Sequence, residues 1–188
     1  MQILEENIVS YFGELSKSEV KSIVSYFKPS LLKKGEFHLE YGRRCEKLSF
    51  ISSGALRIYR VSDETEVTQW IATNGFMTDL SSWIYQIPSR WNMQALTDVE
   101  LHTINREDYI KVCKEISNWH EFEKNFIAKC AIYMEERIHN HLSMSAEQRF
   151  DFFYESNKEL FNQVPLQYIA SMLGMTPETL SRIRKAKT

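Results

Sequence analysis

The last 25 residues constrain the fold most, because they encode two short helices separated by one glycine. The segment reads VPLQYIASMLGMTPETLSRIRKAKT and begins at Val164. In its first half, apolar side chains recur at i, i+3, i+4 and i+7, the spacing of one helical face. Gly174 ends that helix, and Thr176 with Pro177 begins the next through a capping hydroxyl and a fixed φ angle. A turn of about three residues is typical of a helix-turn-helix motif.

The second helix of this motif has an apolar and a polar face. Leu180 and Ile183 point towards the first helix, and the polar face lies opposite. An arginine there can donate two hydrogen bonds to guanine, a glutamate can accept from cytosine, and a serine can bond to base or phosphate. The polar face consists of Glu178, Ser181, Arg182 and Lys185. These side chains have the chemistry needed to contact the major groove of double-stranded DNA.

The distribution of charge agrees with this interpretation. The segment from Val164 to Thr188 contains four bases and one acid, a net charge of +3. The whole chain has a net charge of −2, so the other 163 residues carry −5. A basic segment on an acidic body is compatible with nucleic-acid binding at one end of the molecule. The alternative is that two amphipathic helices with a solvated charged face end an ordinary helical domain.

The same segment resembles the C-terminal helix-turn-helix of the Crp/Fnr family of bacterial transcription regulators. In that family a Glu-x-x-Ser-Arg pattern on the second helix contacts the DNA site, and Glu178, Ser181 and Arg182 occupy that pattern here. Pro177 stands where many members have a basic or polar residue, so the resemblance leaves the preferred DNA sequence open. We predict DNA contacts from six residues: Thr176, Glu178, Thr179, Ser181, Arg182 and Lys185.

The hydrophobic period changes to two residues between Leu31 and Asn105. Six or more short strand-like segments, separated by glycine, serine, asparagine and aspartate, predict an antiparallel β-roll of the jelly-roll type. Helical spacing precedes the roll over residues 3–27, and Lys28-Pro29-Ser30 ends this first helical region. Helical spacing returns over residues 106–142. The predicted fold class is therefore α+β, with a β-roll sensor domain, a long dimerisation helix and a C-terminal helix-turn-helix domain.

The long helix, from about Ser117 to Leu142, contains two apolar stripes. The first, predicted to face the roll, consists of Trp119, Phe122, Phe126, Cys130 and Tyr133. The second consists of Ile127, Ala131, Met134, Ile138 and Leu142. An apolar seam left over on a helix commonly pairs about a two-fold axis. We predict a parallel homodimer and divide the chain into a sensor domain (1–116), a dimerisation helix (117–142) and a DNA-binding domain (143–188).

The stretch GFMTDLSSWIYQIPSRWNMQA, residues 75–95, resembles the cyclic-nucleotide cassette of the same family. In relatives a glutamate takes the ribose hydroxyl and an arginine pairs with the cyclic phosphate. The candidate ligand-binding residues here are Asp79, Leu80, Ser89 and Arg90. The arginine is one position late, and in a strand such a shift turns a side chain to the opposite face. We therefore predict no cofactor, with Asp79 capping a short helix from Leu80 to Trp83 and Arg90 at the surface. Binding of cyclic AMP or cyclic GMP is the alternative.

Metal and catalytic chemistry are not indicated. The three cysteines are far apart in the sequence. They fit neither a disulfide framework nor a Cys-x-x-Cys zinc site, and they are too few for the four ligands of an iron–sulfur cluster. The five histidines lack the neighbours of a metal site and are interpreted as surface or hydrogen-bonded side chains. The first 15 residues do not have the order of a signal peptide, and no apolar run approaches the ~18 residues of a membrane span. We expect a cytoplasmic protein with no membrane partner.

The most favoured function is that of a transcription regulator, not an enzyme, that binds a palindromic DNA site as a homodimer. Its other expected partners are RNA polymerase and an unknown small-molecule effector. Two alternatives remain open. The chain could be a ligand sensor whose terminal helices engage protein instead of DNA, or a cupin-like enzyme on the same type of roll.

Overall fold

The computed structural model describes residues 2–13, 15–117 and 119–187. Two helices come first: α1 (Gln2–Phe12) and α2 (Lys17–Tyr26). The strands are β1 (Lys28–Leu32), β2 (Phe37–Leu39), β3 (Lys47–Ser53), β4 (Leu56–Ser62), β5 (Thr65–Ala72), β6 (Gly75–Met77), β7 (Asn92–Ala95) and β8 (Val99–Asn105), with α3 (Leu80–Tyr85) before β7. The later helices are α4 (Arg106–Glu115), α5 (Trp119–Ser143), α6 (Ala146–Asn157), α7 (Leu160–Gln163), α8 (Leu166–Met172) and α9 (Pro177–Lys187).

The strands form two antiparallel sheets that face each other, which confirms the predicted α+β fold with a β-roll. The first sheet has the order β1-β8-β3-β6 and the second β2-β7-β4-β5. Alternation along the strands separates inward from outward side chains. On β3, for example, Ile51 packs between the sheets, whereas Phe50 packs on the outer face of the first sheet.

The helical start ends before Lys28, as predicted, but the first strand begins earlier than the predicted Leu31. Lys28-Pro29-Ser30 does not simply end the helical start but forms the first part of β1, where Pro29 lies opposite His102 of β8. Proline cannot donate a hydrogen bond to a neighbouring strand, and it is tolerated here because β1 is an edge strand.

Helices cover both outer faces of the roll. The first sheet packs against α1, α2, α4 and the N-terminal half of α5, where Trp119 and Phe126 are buried as the first stripe predicts. The second sheet packs against α6 to α9 through Ala55, Ile71 and Leu96. The molecule therefore has four layers, and the C-terminal helices lie directly on the roll.

Side-chain caps fix the beginnings of several helices. Ser16 and Glu19 form a capping box on α2, and Ser145 with Gln148 forms another on α6. Gly54, in the turn between β3 and β4, has a φ of +95°. A Cβ atom there would lie 2.3 Å from the carbonyl oxygen of Asp98, so this turn requires glycine.

None of the helices in the described part of the chain is long and apolar enough to cross a membrane. The three cysteines are free, with Cys45 buried and the other two partly buried.

Candidate functional site

The turn between α8 and α9 is closed by local hydrogen bonds. Gly174 has a φ of +64°, and the Arg149 guanidinium donates to the carbonyls of Leu173 (2.8 Å) and Gly174 (3.3 Å). The Thr176 hydroxyl accepts from the backbone N–H of Thr179 at 3.3 Å and also bonds to the Thr179 hydroxyl. Both predicted threonines therefore act in the cap that begins α9.

The rest of α9 has the two faces that the sequence predicts. Leu180 is fully buried and Ile183 partly buried against α8 and its neighbours. The exposed side, which we call the α9 face, is a shallow surface concavity lined by Pro177, Glu178, Ser181, Arg182 and Lys185. The structure thus brings together four of the six predicted DNA contacts. Pro177 joins them, although the sequence predicts only that it begins the helix and departs from the family pattern.

The charge of the α9 face comes from only some of the ionisable side chains of this segment. The backbone N–H of Glu178 and then the Thr176 hydroxyl lower the pKa of the Glu178 carboxyl, so it is ionised at neutral pH. Lys187 lies elsewhere and forms an ion pair with Asp151 of α6, with Glu147 3.4 Å away. These acids raise the pKa of Lys187. The net charge of +3 in this segment is therefore partly compensated in the fold, and the positive charge of the α9 face comes from Arg182 and Lys185.

The sequence did not predict that α8 lies against β5. The register between β4 and β5 shifts at Ile58 and Tyr59, and Gln69 is skipped. The neighbouring Thr68 N–H donates to the Ser171 hydroxyl of α8 at 2.9 Å, and Arg137 of α5 donates to the Gln69 carbonyl at 2.6 Å. A β-bulge on an edge strand thus supplies the backbone groups that hold the C-terminal helices.

Arg57 lies at the centre of this contact. Its side chain, on β4, is only 1% exposed. The guanidinium lies between two rings, 4.0 Å from the centre of Tyr59 and 3.7 Å from that of Tyr168 on α8. It also donates to Thr68 (2.9 Å) and Glu66 (2.6 Å). No local pattern marks this residue, because a charged residue between two apolar strand residues normally faces solvent.

The candidate ligand cassette is closed by its own hydrogen bonds. Asp79 is 6% exposed and caps α3, accepting from the N–H groups of Ser81 and Ser82. Its second oxygen accepts from the Ser89 hydroxyl at 2.6 Å, and Ser89 also accepts from the Trp91 N–H at 3.0 Å. The cap that the sequence predicts at Asp79 is confirmed, and this carboxylate already has three partners.

The other cassette residues differ from Asp79 and Ser89 in their surroundings. Leu80 packs against the core on the outer face of the first sheet. Arg90 is exposed, as predicted, but it lies at a bend before β7 and not within a strand, so the argument from strand alternation does not apply. Trp91 packs at the rim of the roll interior, with the Arg60 guanidinium 5.2 Å from its ring centre.

The histidines on the roll have hydrogen-bond partners, in agreement with the sequence interpretation. His38 lies 3.3 Å from the Ser49 hydroxyl, and His102 lies 2.9 Å from the Ser52 hydroxyl. Burial lowers the pKa of His38 to about 4, so this side chain is neutral at physiological pH. Among the residues that the structure describes, no three histidine, cysteine, aspartate or glutamate side chains form a group that could hold a metal ion.

Comparison with known proteins identifies the roll. Residues 30–115 match the family described as the cyclic nucleotide-binding domain. A search of curated proteins gave no match by sequence.

Three solved structures show how far the similarity extends. The catabolite activator protein of Thermus thermophilus is 24% identical, with a TM-score of 0.58 over 94% of this chain and 85% of that chain. FixK2 of Bradyrhizobium japonicum is 16% identical, with a TM-score of 0.72 over 85% and 83%. A crp/fnr-family transcriptional regulator of Eubacterium rectale is 20% identical, with a TM-score of 0.67 over 92% and 83%. Residues 30–115 therefore match the cyclic nucleotide-binding domain family, and the chain as a whole has the fold of the Crp/Fnr transcription regulators.

Proposed function

We propose that the protein is a transcription regulator that binds a palindromic DNA site as a homodimer through the α9 face. The observation that carries this proposal is the exposure of Glu178, Ser181 and Arg182 on one side of a helix whose other side is buried. Such a helix can enter the major groove with its polar side chains towards the base edges. In this proposal residues 1–116 form the sensor, 117–142 the dimerisation helix and 143–188 the DNA-binding domain, and RNA polymerase is a further partner.

Selection of bound fragments from random duplex DNA tests this function. We expect a palindrome whose half-sites lie about 34 Å apart, one turn of the double helix. Binding to the recovered site is expected to weaken steeply between low and moderate salt, because each phosphate contact releases counterions. If no sequence is enriched and binding does not depend on salt, the terminal helices do not bind DNA. Capture of a protein by the same helices would then favour the alternative sensor module.

The dimer prediction rests on apolar side chains along α5 that the single chain leaves in solvent. Ile138 is 57% exposed and Leu142 84% exposed, and Ile127 and Met134 lie on the same stripe. We expect Ile138→Glu to convert the dimer into a monomer in light scattering at micromolar concentration, because burying an unpaired carboxylate between two apolar helices is costly.

Ile132 provides a matched control for this change. It lies on the same helix and is 56% exposed, but it is outside the stripe. Ile132→Glu is therefore expected to remain dimeric. A monomeric parent protein, or equal dissociation by both substitutions, contradicts a seam along Ile127, Met134 and Ile138.

Cyclic nucleotides are expected not to be effectors of this chain. Asp79 already accepts hydrogen bonds from the first turn of α3 and from Ser89, and within the described residues no hydrogen bond or ion pair joins the exposed Arg90 to it. Titration calorimetry with cyclic AMP and cyclic GMP should therefore give no saturable heat. Saturable heat that disappears in Arg90→Ala would instead assign these residues to a nucleotide site.

A further inference from the structure

A cleft of about 250 Å³ lies where the roll, the long helix and the C-terminal helices meet. The residues that line it include Trp70 of β5, Tyr133 of α5, Phe152 and Phe153 of α6, and Leu173 at the end of α8. Each part of the proposed regulator thus contributes to one cavity. This cleft is separate from the Asp79 cassette, and the sequence analysis did not identify it.

The walls of the cleft are aromatic. The rings of Trp70 and Tyr133 meet edge to face, with their centres 5.2 Å apart. Phe152 lies at the mouth, 65% exposed, whereas its neighbour Phe153 packs in the core of the C-terminal helices. A large exposed aromatic side chain at the edge of an aromatic cavity is suited to cover a flat apolar ligand.

The cleft also has positive charge in excess. The charged residues that line it are Glu136, Arg137 and Arg149, together with His141. Arg149 donates to the backbone carbonyls of Met144, Leu173 and Gly174. None of the ion pairs found within residues 2–13, 15–117 and 119–187 includes Glu136, Arg137 or Arg149.

Arg137 has unused hydrogen-bonding capacity. Its guanidinium lies 4.6 Å from the ring centre of Trp70, and one nitrogen donates to the Gln69 carbonyl. Burial lowers the pKa of Arg137, but an arginine side chain in a protein stays charged at neutral pH. A guanidinium has five N–H donors in a planar fork that matches a carboxylate. A partly buried cation without a carboxylate partner therefore favours an anionic ligand.

The proposed dimer seam and the cleft use different sides of α5. An α-helix turns about 100° per residue, so Tyr133, Arg137 and Asn140 share one side of α5. Ile127, Met134 and Ile138 point roughly a third of a turn away. The same helix can thus pair with a second copy and line the cleft.

We propose that this cleft binds a small aromatic carboxylate, with its ring between Trp70, Tyr133 and Phe152 and its carboxylate on Arg137. The ligand would contact the second sheet, α5 and the C-terminal helices at once. A ligand that binds better to one arrangement of these parts shifts the population towards it. Binding of the aromatic carboxylate does not depend on the proposed DNA-binding function. A role of this ligand as an effector of DNA binding does rest on that function.

Calorimetry with the full chain tests the proposal. The probes are benzoate, salicylate and indole-3-acetate, each compared with its neutral amide. We expect at least one carboxylate to bind with saturation, and its amide to bind about tenfold more weakly or worse, because a charge-assisted bond to the guanidinium is lost. Absence of saturable binding by all three acids at millimolar concentration, or equal binding of acid and amide, overturns the proposal.

Variants locate the site. Arg137→Gln should weaken carboxylate binding about tenfold or more and leave amide binding nearly unchanged. Phe152→Ala should weaken both, and it should fold normally because this side chain is largely in solvent. Arg44→Gln, a matched change at an exposed arginine on the roll, should have no effect. Unchanged affinity in Arg137→Gln and Phe152→Ala, or equal losses in all three variants, overturns the assignment to this cleft.

The two proposals can fail separately. A protein that binds an aromatic carboxylate through Arg137 but no duplex keeps the site and removes the regulator function. A protein that binds a palindrome, with no response to any of the acids, keeps the function and removes the site.

Discussion

Replacement of Arg57 by alanine is expected to lower the free energy of unfolding by about 2–4 kcal/mol, because it removes a desolvated cation from between two rings together with two charge-assisted hydrogen bonds. The side chain is 1% exposed, and it joins Thr68 and Glu66 of the roll to Tyr168 of α8. Glu66 is 47% exposed, so the carboxylate left behind is solvated and adds little to the loss. Urea denaturation at neutral pH measures the change.

Arg60 is the matched control, since it lies on the same strand and its side chain is exposed. Its guanidinium lies 5.2 Å from the ring centre of Trp91, and Arg60→Ala should change stability by about 0.5 kcal/mol or less. A loss below about 1 kcal/mol in Arg57→Ala would mean that the docking of α8 on the roll does not depend on this guanidinium. Faster protease cleavage between α5 and α8 in Arg57→Ala would show that the C-terminal helices have been released.

Replacement of Arg182 by alanine is expected to weaken binding to the selected DNA site about tenfold to a hundredfold, the usual cost of losing a guanidinium that bonds to a base. Arg182 is exposed on the α9 face beside Glu178 and Ser181, so its removal should leave the fold intact. Fluorescence anisotropy at one fixed salt concentration compares the selected site with an unrelated duplex.

Comparing the selected site with the unrelated duplex shows whether Arg182 contacts a base or the phosphate backbone. Binding to the unrelated duplex should change little if Arg182 contacts a base. An equal loss on both duplexes would assign it to the phosphate backbone. Arg44→Ala, a distant exposed arginine, controls for the loss of one positive charge, and a comparable loss there would contradict a specific role for Arg182.

The proposed α9 face could be predicted because it depends on residues close together in the chain. The cap at Thr176, the glycine at 174 and the spacing from Glu178 to Lys185 each involve neighbours within about two helical turns. The same holds for the cap at Asp79 and for the buried stripe that begins at Trp119.

Predictions failed where a distant partner decides the outcome. Lys28 to Ser30 follow a helix in sequence, yet they form a strand because β8, more than 70 residues later, is available for pairing. Lys187 counts as a free base in the sequence, whereas α6 brings two acids beside it. Arg90 is at the surface as predicted, but the supporting argument from strand alternation fails because Arg90 lies at a bend before β7 begins.

The sequence by itself determined the order of helices and strands, the roll and the polar face of the last helix, because period and cap chemistry are local properties. Only the tertiary structure decided that the C-terminal helices rest on the roll. That contact involves the bulge at Gln69, a hydrogen bond between residues 103 positions apart and a buried guanidinium. The cleft beside Arg137 exists for the same reason, since its walls come from four segments that meet only in the folded chain.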